Sequence, residues 1–402
     1  IDPKTNEAVK IIKARELWSK LLDARAETGE PYIVNIDNCN DALPQGQKDL
    51  GLEVKQSNLC SEITLPTNDE RTAVCCLSSV NLEHFDEWSK EEKFIDDLVT
   101  MLDNVLEHFI ENAVDLNSLG GYNANYERFK KHIKEGKEGF TKAAYSAYRE
   151  RSIGLGAMGF HSYLQNQNIP FEGIFSTGIN YKLFKFIKGA AVSASRRLAV
   201  LRGEAPDISN SGLRNCHLLA VAPNASSSII CGGTSPSIEP IRANVFTHKT
   251  LSGSYKVKNK NLEKLINKKV TDPKKRKKVW QDISDNRGSI QELKLFTKEE
   301  KEVFKTADEI NQIWVVEHAY KRQEFICQSQ SVNLFFILPD SSQNQEQHNE
   351  YLQYVSDVHW YGANKLKSLY YFRSDAAKAA ENVNIKVPRI KLDEVECIAC
   401  EG

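Results

Sequence analysis

Gln56-Ser57-Asn58-Leu59-Cys60-Ser61-Glu62-Ile63 places an amide, a thiol and a carboxylate at alternate positions. In extended backbone, residues two apart project to one face. The stretch therefore reads as a strand over 56–65, with Asn58, Cys60 and Glu62 pointing into one pocket. An amide can hold a hydroxyl, a carboxylate can take a proton, and a thiol can exchange electrons or a hydrogen atom. A single cysteine is most often an inert buried hydrophobe. Here two polar neighbours would share its burial, and that combination points to chemistry.

The whole chain narrows the reading. Its 402 residues suffice for one large domain or two to three smaller ones, and 41% hydrophobic with 27% charged residues is a globular composition. A net charge of −1 gives no field that would recruit nucleic acid. No apolar run approaches the length of a membrane span. The nine cysteines are unevenly placed in a chain too long to need stapling. A reducing compartment, and so a cytoplasmic location, is expected. Cys39, Cys216, Cys231 and Cys327 read as single core or surface residues. No His/Cys spacing suggests zinc, and Cys397 and Cys400 form a C-x-x-C pair with no second pair nearby, so no metal ligands are expected. The start, Ile1-Asp2-Pro3-Lys4, is neither a signal peptide nor an initiator Met, and reads as the interior of a longer product.

Hydrophobic spacing predicts a mixed α/β chain. Helices are expected over 5–28, 90–115, 179–202, 300–330 and 346–368, strands over 73–82 and 217–223, and a polar loop around 35–51. The last twenty-odd residues carry charge and little core material, which predicts a mobile tail. The basic segment 256–278, with Lys274-Lys275-Arg276-Lys277-Lys278, reads as a solvated loop or helix face, because no aromatic residues interleave to stack bases.

Three further stretches carry meaning. Gly154-Leu155-Gly156-Ala157-Met158-Gly159 matches G-x-G-x-x-G, but the residues before it are too charged for the buried strand a dinucleotide site needs. Its glycines read instead as close backbone packing at a helix start. Pro223-Asn224-Ala225-Ser226-Ser227-Ser228 is a polar cluster of small residues that suits either a phosphate or an ordinary N-cap. Tyr370 and Tyr371 close the helical segment that includes 366–371, where paired rings either pack or pass a radical as a coupled proton and electron.

Taken in order, these residues resemble the catalytic large subunit of class I ribonucleotide reductase. The matching stretches are Ser57–Glu62, Ala73–Ser78, Arg151 with Ile153–Phe160, Gly212–Asn215, Pro223–Ser228, Ser237–Pro240, Leu369–Tyr371 and the Cys397/Cys400 pair. The resemblance implies an α/β fold, part of a ten-stranded barrel: the second half-barrel with a central cysteine loop over 1–380, and a flexible redox tail over 381–402. It implies that Cys60 becomes a thiyl radical and takes the 3′ hydrogen of a ribonucleotide. Glu62 would accept the 3′-hydroxyl proton, and Asn58 would hold the substrate hydroxyls. Asn58, Leu59, Cys60, Ser61 and Glu62 would line the substrate, with Pro223, Asn224, Ala225, Ser226 and Ser227 on its phosphates. Cys75 would be one member of the reducing thiol pair. Tyr370 and Tyr371 would relay the radical, and Cys397 and Cys400 would reduce the resulting disulfide by exchange.

The implied partners are a small subunit whose dinuclear iron and tyrosyl radical supply the oxidising equivalent, thioredoxin or glutaredoxin, and ribonucleoside diphosphates. This chain itself would bind no cofactor. Family chains are roughly twice as long, so an N-terminal half carrying the second reducing cysteine is an expected partner, and the isolated chain is expected to be inactive. Two alternatives stand beside this reading. One is an adenosylcobalamin-dependent reductase, which needs no tyrosine relay. The other is a non-catalytic thiol-exchange protein in which only the terminal pair would matter.

Overall fold

The computed structural model describes residues 5, 7–121, 123–250, 253–337 and 345–374. The redox tail and its Cys397 and Cys400 lie outside the described residues.

Five extended segments lie side by side and run in parallel, in chain order. Leu77–Asn81 pairs with Gly154–Met158, Leu77 opposite Gly154 and Asn81 opposite Met158. The second segment meets the third through Ile153 N–H to His217 O at 3.0 Å and Leu155 N–H to Leu218 O at 2.8 Å. Val221 bridges Gln330 in parallel on the fourth. Leu334–Phe335 then pairs in parallel with Phe372–Arg373 on the fifth. Parallel neighbours need crossovers, and helices supply them. Phe94–Ala113 and Thr141–Glu150 precede the second segment, Ile174–Arg202 the third, Gln312–Gln323 the fourth and Gln345–Lys365 the fifth. This alternation makes the chain α/β.

The helices form where apolar residues recur every three or four positions. Phe94–Ala113 buries Ile95, Val99, Leu102, Leu106 and Ile110. Ile174–Arg202 buries Leu183, Phe184, Ile187, Ala191 and Leu198 and packs against it. These side chains and the inner faces of the strands form one continuous core. A second, smaller core holds Leu262, Ile266, Trp280, Ile283, Phe296 and Phe304. It sits under the hairpin Val245–Thr250/Gly253–Lys258 and the helices Lys260–Lys269 and Pro273–Asp285. Lys274, Lys275, Lys277 and Lys278 lie on the exposed side of the latter helix, whose Trp280 and Ile283 face inward.

Several sequence expectations are corrected. The first helix covers Ala14–Thr28 rather than 5–28 and stops at Gly29, whose backbone is left-handed. The 35–51 stretch holds two short helices, Ile36–Asp41 and Gln45–Asp49. The 73–82 strand is limited to Leu77–Asn81. Residues 217–221 are buried and extended, but Ile153 and Leu155, two apart, bond to His217 and Leu218, one apart. On its other side the same segment is bridged at Val221, to Gln330. Gly154–Met158 is itself a strand, buried at every position, and not a helix start. The charged residues before it end a helix and do not belong to the strand. The close packing expected of these glycines is met at Gly154, against Leu77, and at Gly156, where an added Cβ would sit 2.6 Å from Ala220 O, and Gly159 is the left-handed residue before the helix Phe160–Asn166. Among the described residues, no helix is long and apolar enough to cross a membrane.

Candidate active site

The 56–65 stretch is a loop and not a strand. Ser61 N–H donates to Asn58 O at 3.1 Å, and Asn58 N–H donates to Ile63 O at 3.3 Å, which closes a turn between them. Ser61 takes the left-handed backbone the turn needs, with φ 62°. Asn58, Cys60 and Glu62 are therefore gathered by a turn and not by a pleat. Asn58 Oδ1 accepts from Ile63 N–H at 3.0 Å, and its side chain also bonds the Glu62 carboxylate.

The loop is held from the fourth and fifth segments. Ser329 N–H donates to Glu62 O at 2.9 Å, and Ser368 Oγ donates to Ser61 O at 2.8 Å. Ser331 Oγ bonds both Cys60 O and Glu62 Oε2, the latter at 3.2 Å. Sequence reasoning missed these serines. The available signal was the polar run Gln328-Ser329-Gln330-Ser331, all of it buried, since buried polar residues need partners. Glu62 is 2% exposed. Burial pushes its carboxyl up, against the downward pull of hydrogen bonds that include those from Asn58 and Ser331. A buried carboxyl whose proton affinity is raised in this way is suited to accept a proton. Leu59, by contrast, is 72% exposed at the tip of the turn.

Tyr370 reaches this loop directly: its hydroxyl lies 3.6 Å from Cys60 Sγ. Tyr370 and Tyr371 do not close a helix. They sit in extended backbone between Ser368–Leu369, which pairs antiparallel with Ile33–Val34, and Phe372–Arg373. Their ring centroids are 4.4 Å apart at 61°. A third ring, Tyr32, lies 4.6 Å from Tyr370 and 4.9 Å from Tyr371 and bonds to Glu30 Oε1 at 3.0 Å. Burial first, and then the Cys60 contact, push the Tyr370 phenol well up, so the ring stays protonated. The Arg373 guanidinium stacks 3.8 Å from the Tyr371 centroid. Buried Arg25 fixes the backbone on both sides by donating to Tyr370 O at 3.0 Å and to Pro31 O. Asn333 holds Tyr371 N–H through Oδ1 at 3.3 Å while donating to Glu239 Oε2 at 2.6 Å. Burial pushes Glu239 up to about 7, against the pull of Arg242 and Asn333. None of Tyr32, Arg25 or Asn333 is distinctive in the sequence, because each acts through a neighbour that is remote along the chain.

The other expected residues occupy nearby segment ends. Cys75 is exposed and precedes the first strand; Cys76 is buried, its Sγ 3.5 Å from Leu102 O, with its thiol pushed up to about 11 by burial. Pro223 and Asn224 lead into the one-and-a-half-turn helix Ala225–Ile230. Asn224 is left-handed, with φ 50°, and its Nδ2 donates to Ser79 Oγ on the first strand at 3.0 Å. Ala225, Ser226 and Ser227 are exposed at the start of that helix. Among the described residues, no group of three or more His, Cys, Asp or Glu side chains is placed to hold a metal ion.

The fold and site define an α/β protein in which a parallel array of strands holds a cysteine loop beside a tyrosine pair. The family model for the ribonucleotide reductase barrel domain matches residues 2–207 and 204–372. The chain is 44% identical, over its whole length and 59% of the relative's, to the ribonucleoside-diphosphate reductase large subunit of Invertebrate iridescent virus 3. It is 30% identical, over 92% of its length and 43% of the relative's, to the ribonucleoside-diphosphate reductase large chain 2 of Saccharomyces cerevisiae. The solved Actinobacillus ureae class Id ribonucleotide reductase alpha subunit superposes with a TM-score of 0.73 at 37% identity, covering 92% of this chain and 62% of that one. The chain belongs to the ribonucleotide reductase barrel-domain family. It spans about 59% of the viral relative's length.

Proposed function

We propose that this chain carries the radical chemistry of a ribonucleoside-diphosphate reductase. The observation that carries the reading is the contact of the Tyr370 hydroxyl with Cys60 Sγ at 3.6 Å, beside a buried carboxyl and an amide. Tyr371 and then Tyr370 relay an oxidising equivalent, and Tyr370 takes the hydrogen of Cys60 to leave a thiyl radical. Cys60 takes the 3′ hydrogen of the substrate and Glu62 takes the 3′-hydroxyl proton, while Asn58 holds the hydroxyls. Water leaves from C2′, and a dithiol that includes Cys75 supplies two electrons and becomes a disulfide. Cys60 then returns the 3′ hydrogen, Glu62 returns its proton to the 3′ oxygen, and the oxidising equivalent passes back from Cys60 to Tyr370. The net change is ribonucleotide plus dithiol to deoxyribonucleotide, disulfide and water.

The segment 223–227 binds the substrate phosphates, for which the exposed serines at a helix start are the support. A small subunit with a dinuclear iron centre and a tyrosyl radical supplies the oxidising equivalent. Cys397 and Cys400 regenerate the dithiol and are recharged by thioredoxin or glutaredoxin. The second reducing cysteine comes from an N-terminal half of the large subunit. The relay is the feature that separates this reading from a cobalamin-dependent one.

Tyr370→Phe tests it. The ring and its packing survive, but the O–H is lost. In enzyme reconstituted with the N-terminal portion and the radical subunit, turnover should fall to background while the near-ultraviolet circular dichroism is unchanged. A fully active Tyr370→Phe enzyme would overturn the relay.

A further inference from the structure

Cys327 lies in the wall of a cavity of about 700 Å³, just before the fourth segment. It is half-buried, whereas Cys39, Cys76 and Cys216 are buried. The groups around its sulfur are mostly donors. The backbone N–H groups of Leu218 and Leu219 point at Sγ from 3.0 and 3.2 Å, and the Lys188 ammonium lies at 3.6 Å. One acceptor stands against them, Leu219 O at 3.7 Å. The His217 imidazole also lies against the thiol and favours its charged form.

His217 is oriented from behind. Its Nε2 meets Gln47 Oε1 at 3.0 Å, and Gln47 Nε2 donates to Glu150 Oε2 at 3.3 Å, so the ring proton sits on Nε2. Nδ1 is buried and has no other partner among the described residues, which leaves it to take the proton of the thiol. A nucleophile, a base and a group that orients the base are thus in line. Burial pushes the Cys327 thiol up, as it pushes Cys39 and Cys76 to about 11. Lys188, His217 and the Leu219 N–H outweigh burial and hold the Cys327 thiol well below its ordinary value. The rest of the cavity wall includes Lys321, Lys365 and Lys367 with one carboxylate, Glu324. Lys321 pairs with Glu317 at 3.7 Å, Lys365 stacks on Tyr320, and Lys367 donates to Cys327 O and Gln328 O. Lys188 therefore supplies the charge nearest the sulfur.

We infer that Cys327 is a nucleophilic thiolate that exchanges with low-molecular-weight disulfides bearing carboxylates, with His217 and Lys188 as its positioning residues. The Cys327 sulfur attacks one sulfur of the disulfide. A new S–S bond forms as the old one breaks, so Cys327 is oxidised to a mixed disulfide. The departing half is reduced and leaves as a thiol with the proton that Cys327 gave up. The cavity is of small-molecule size and admits the half that stays bound. This site does not depend on the reading of the Cys60 loop.

Treating the reduced 402-residue chain with glutathione disulfide, used as the probe, and scoring each cysteine by peptide mass spectrometry tests the proposal. The mixed disulfide should form at Cys327 about tenfold or more faster than at Cys39, Cys76 or Cys216. Its rate should change by less than about threefold between pH 8 and pH 6, where an ordinary thiol slows by nearly a hundredfold. Lys188→Gln and His217→Gln should each slow the pH 6 reaction about tenfold and restore the steep pH dependence. Lys188→Gln keeps the test open if His217→Gln unfolds, because Lys188 is half-buried on a helix whereas His217 is buried. Cystamine carries ammonium groups in place of carboxylates. The preference of Cys327 for glutathione disulfide over cystamine should exceed that of the urea-unfolded chain by about fivefold. No mixed disulfide at Cys327, a rate that falls with pH as an ordinary thiol's does, a rate unchanged in both folded variants, or a preference no greater than the unfolded chain's would overturn the proposal.

Discussion

The 56–65 loop and the 154–158 strand invert each other. The first alternates polar and apolar residues as strands do, yet it turns back on itself at 58–61. The second, Gly154-Leu155-Gly156-Ala157-Met158, carries two glycines, which weaken strands, yet it is a buried strand throughout. Their surroundings explain both. The strand lies between two others so close that a Cβ on Gly156 would sit 2.6 Å from Ala220 O and 3.1 Å from Ser79 Oγ. The loop is enclosed by serines and amides that bond its backbone and carboxylate, which a strand in the sheet would have used for its own ladder. Close packing shapes one region, and polar partners shape the other.

The largest effect expected from this contrast is chemical. Cys60→Ser in the reconstituted enzyme should reduce turnover to background without a shift in melting temperature. The hydroxyl fits the loop, but its O–H bond is much harder to break homolytically. A rate near that of the unaltered enzyme would separate the loop's shape from its chemistry.

The next largest is steric. Gly156→Ala should cost about 1–3 kcal/mol in urea unfolding, because the atoms it meets are a backbone carbonyl and a neighbouring strand's side chain. An Ala variant as stable as the parent would mean that the strands can separate, and the packing side of the comparison would fail.

A third outcome distinguishes the regions by pH. Glu239, which supports Tyr371 through Asn333, has its carboxyl raised by burial to about 7, from an ordinary value near 4.5. The folded state therefore binds more protons than the unfolded state between those values. Stability from this group is fully present below about 4.5 and is lost as pH rises through 7, on the order of 1–3 kcal/mol. Denaturant unfolding at pH 5 and pH 8 should show that loss, and Glu239→Gln should flatten it. The Gly156→Ala penalty should be the same at both pH values. An equal pH slope in Glu239→Gln would remove this residue from the account.

The smallest effect has the opposite sign. Ser61 holds a positive φ of 62°, and its buried Oγ has no hydrogen-bond partner among the described residues. Ser61→Gly should relieve both and stabilise the chain by up to about 1 kcal/mol, less the extra chain entropy of glycine. Destabilisation beyond that would show that the hydroxyl has a role in the loop.

The sequence by itself determined the chemical inventory and the order of parts. Asn58, Cys60, Glu62 and the tyrosine pair stood out by residue type, and the structure brings Cys60 beside Tyr370 and Asn58 beside Glu62. The long helices were legible because Ile95, Val99, Leu102, Leu106 and Ile110 repeat at helical spacing, a local property. Alternation misled at 56–65, since a polar, apolar pattern records which side chains are buried and not which backbone path buries them. At 154–158 the close packing expected of the glycines is present, but it serves a strand and not a helix start, because a missing Cβ records a close neighbour and not the kind of backbone that needs it. Only the tertiary structure decided that Ser331 and Ser368 would hold the cysteine loop and that Tyr32 would join Tyr370 and Tyr371. Those contacts join residues far apart along the chain, and no local propensity encodes a partner that only folding brings within hydrogen-bond distance.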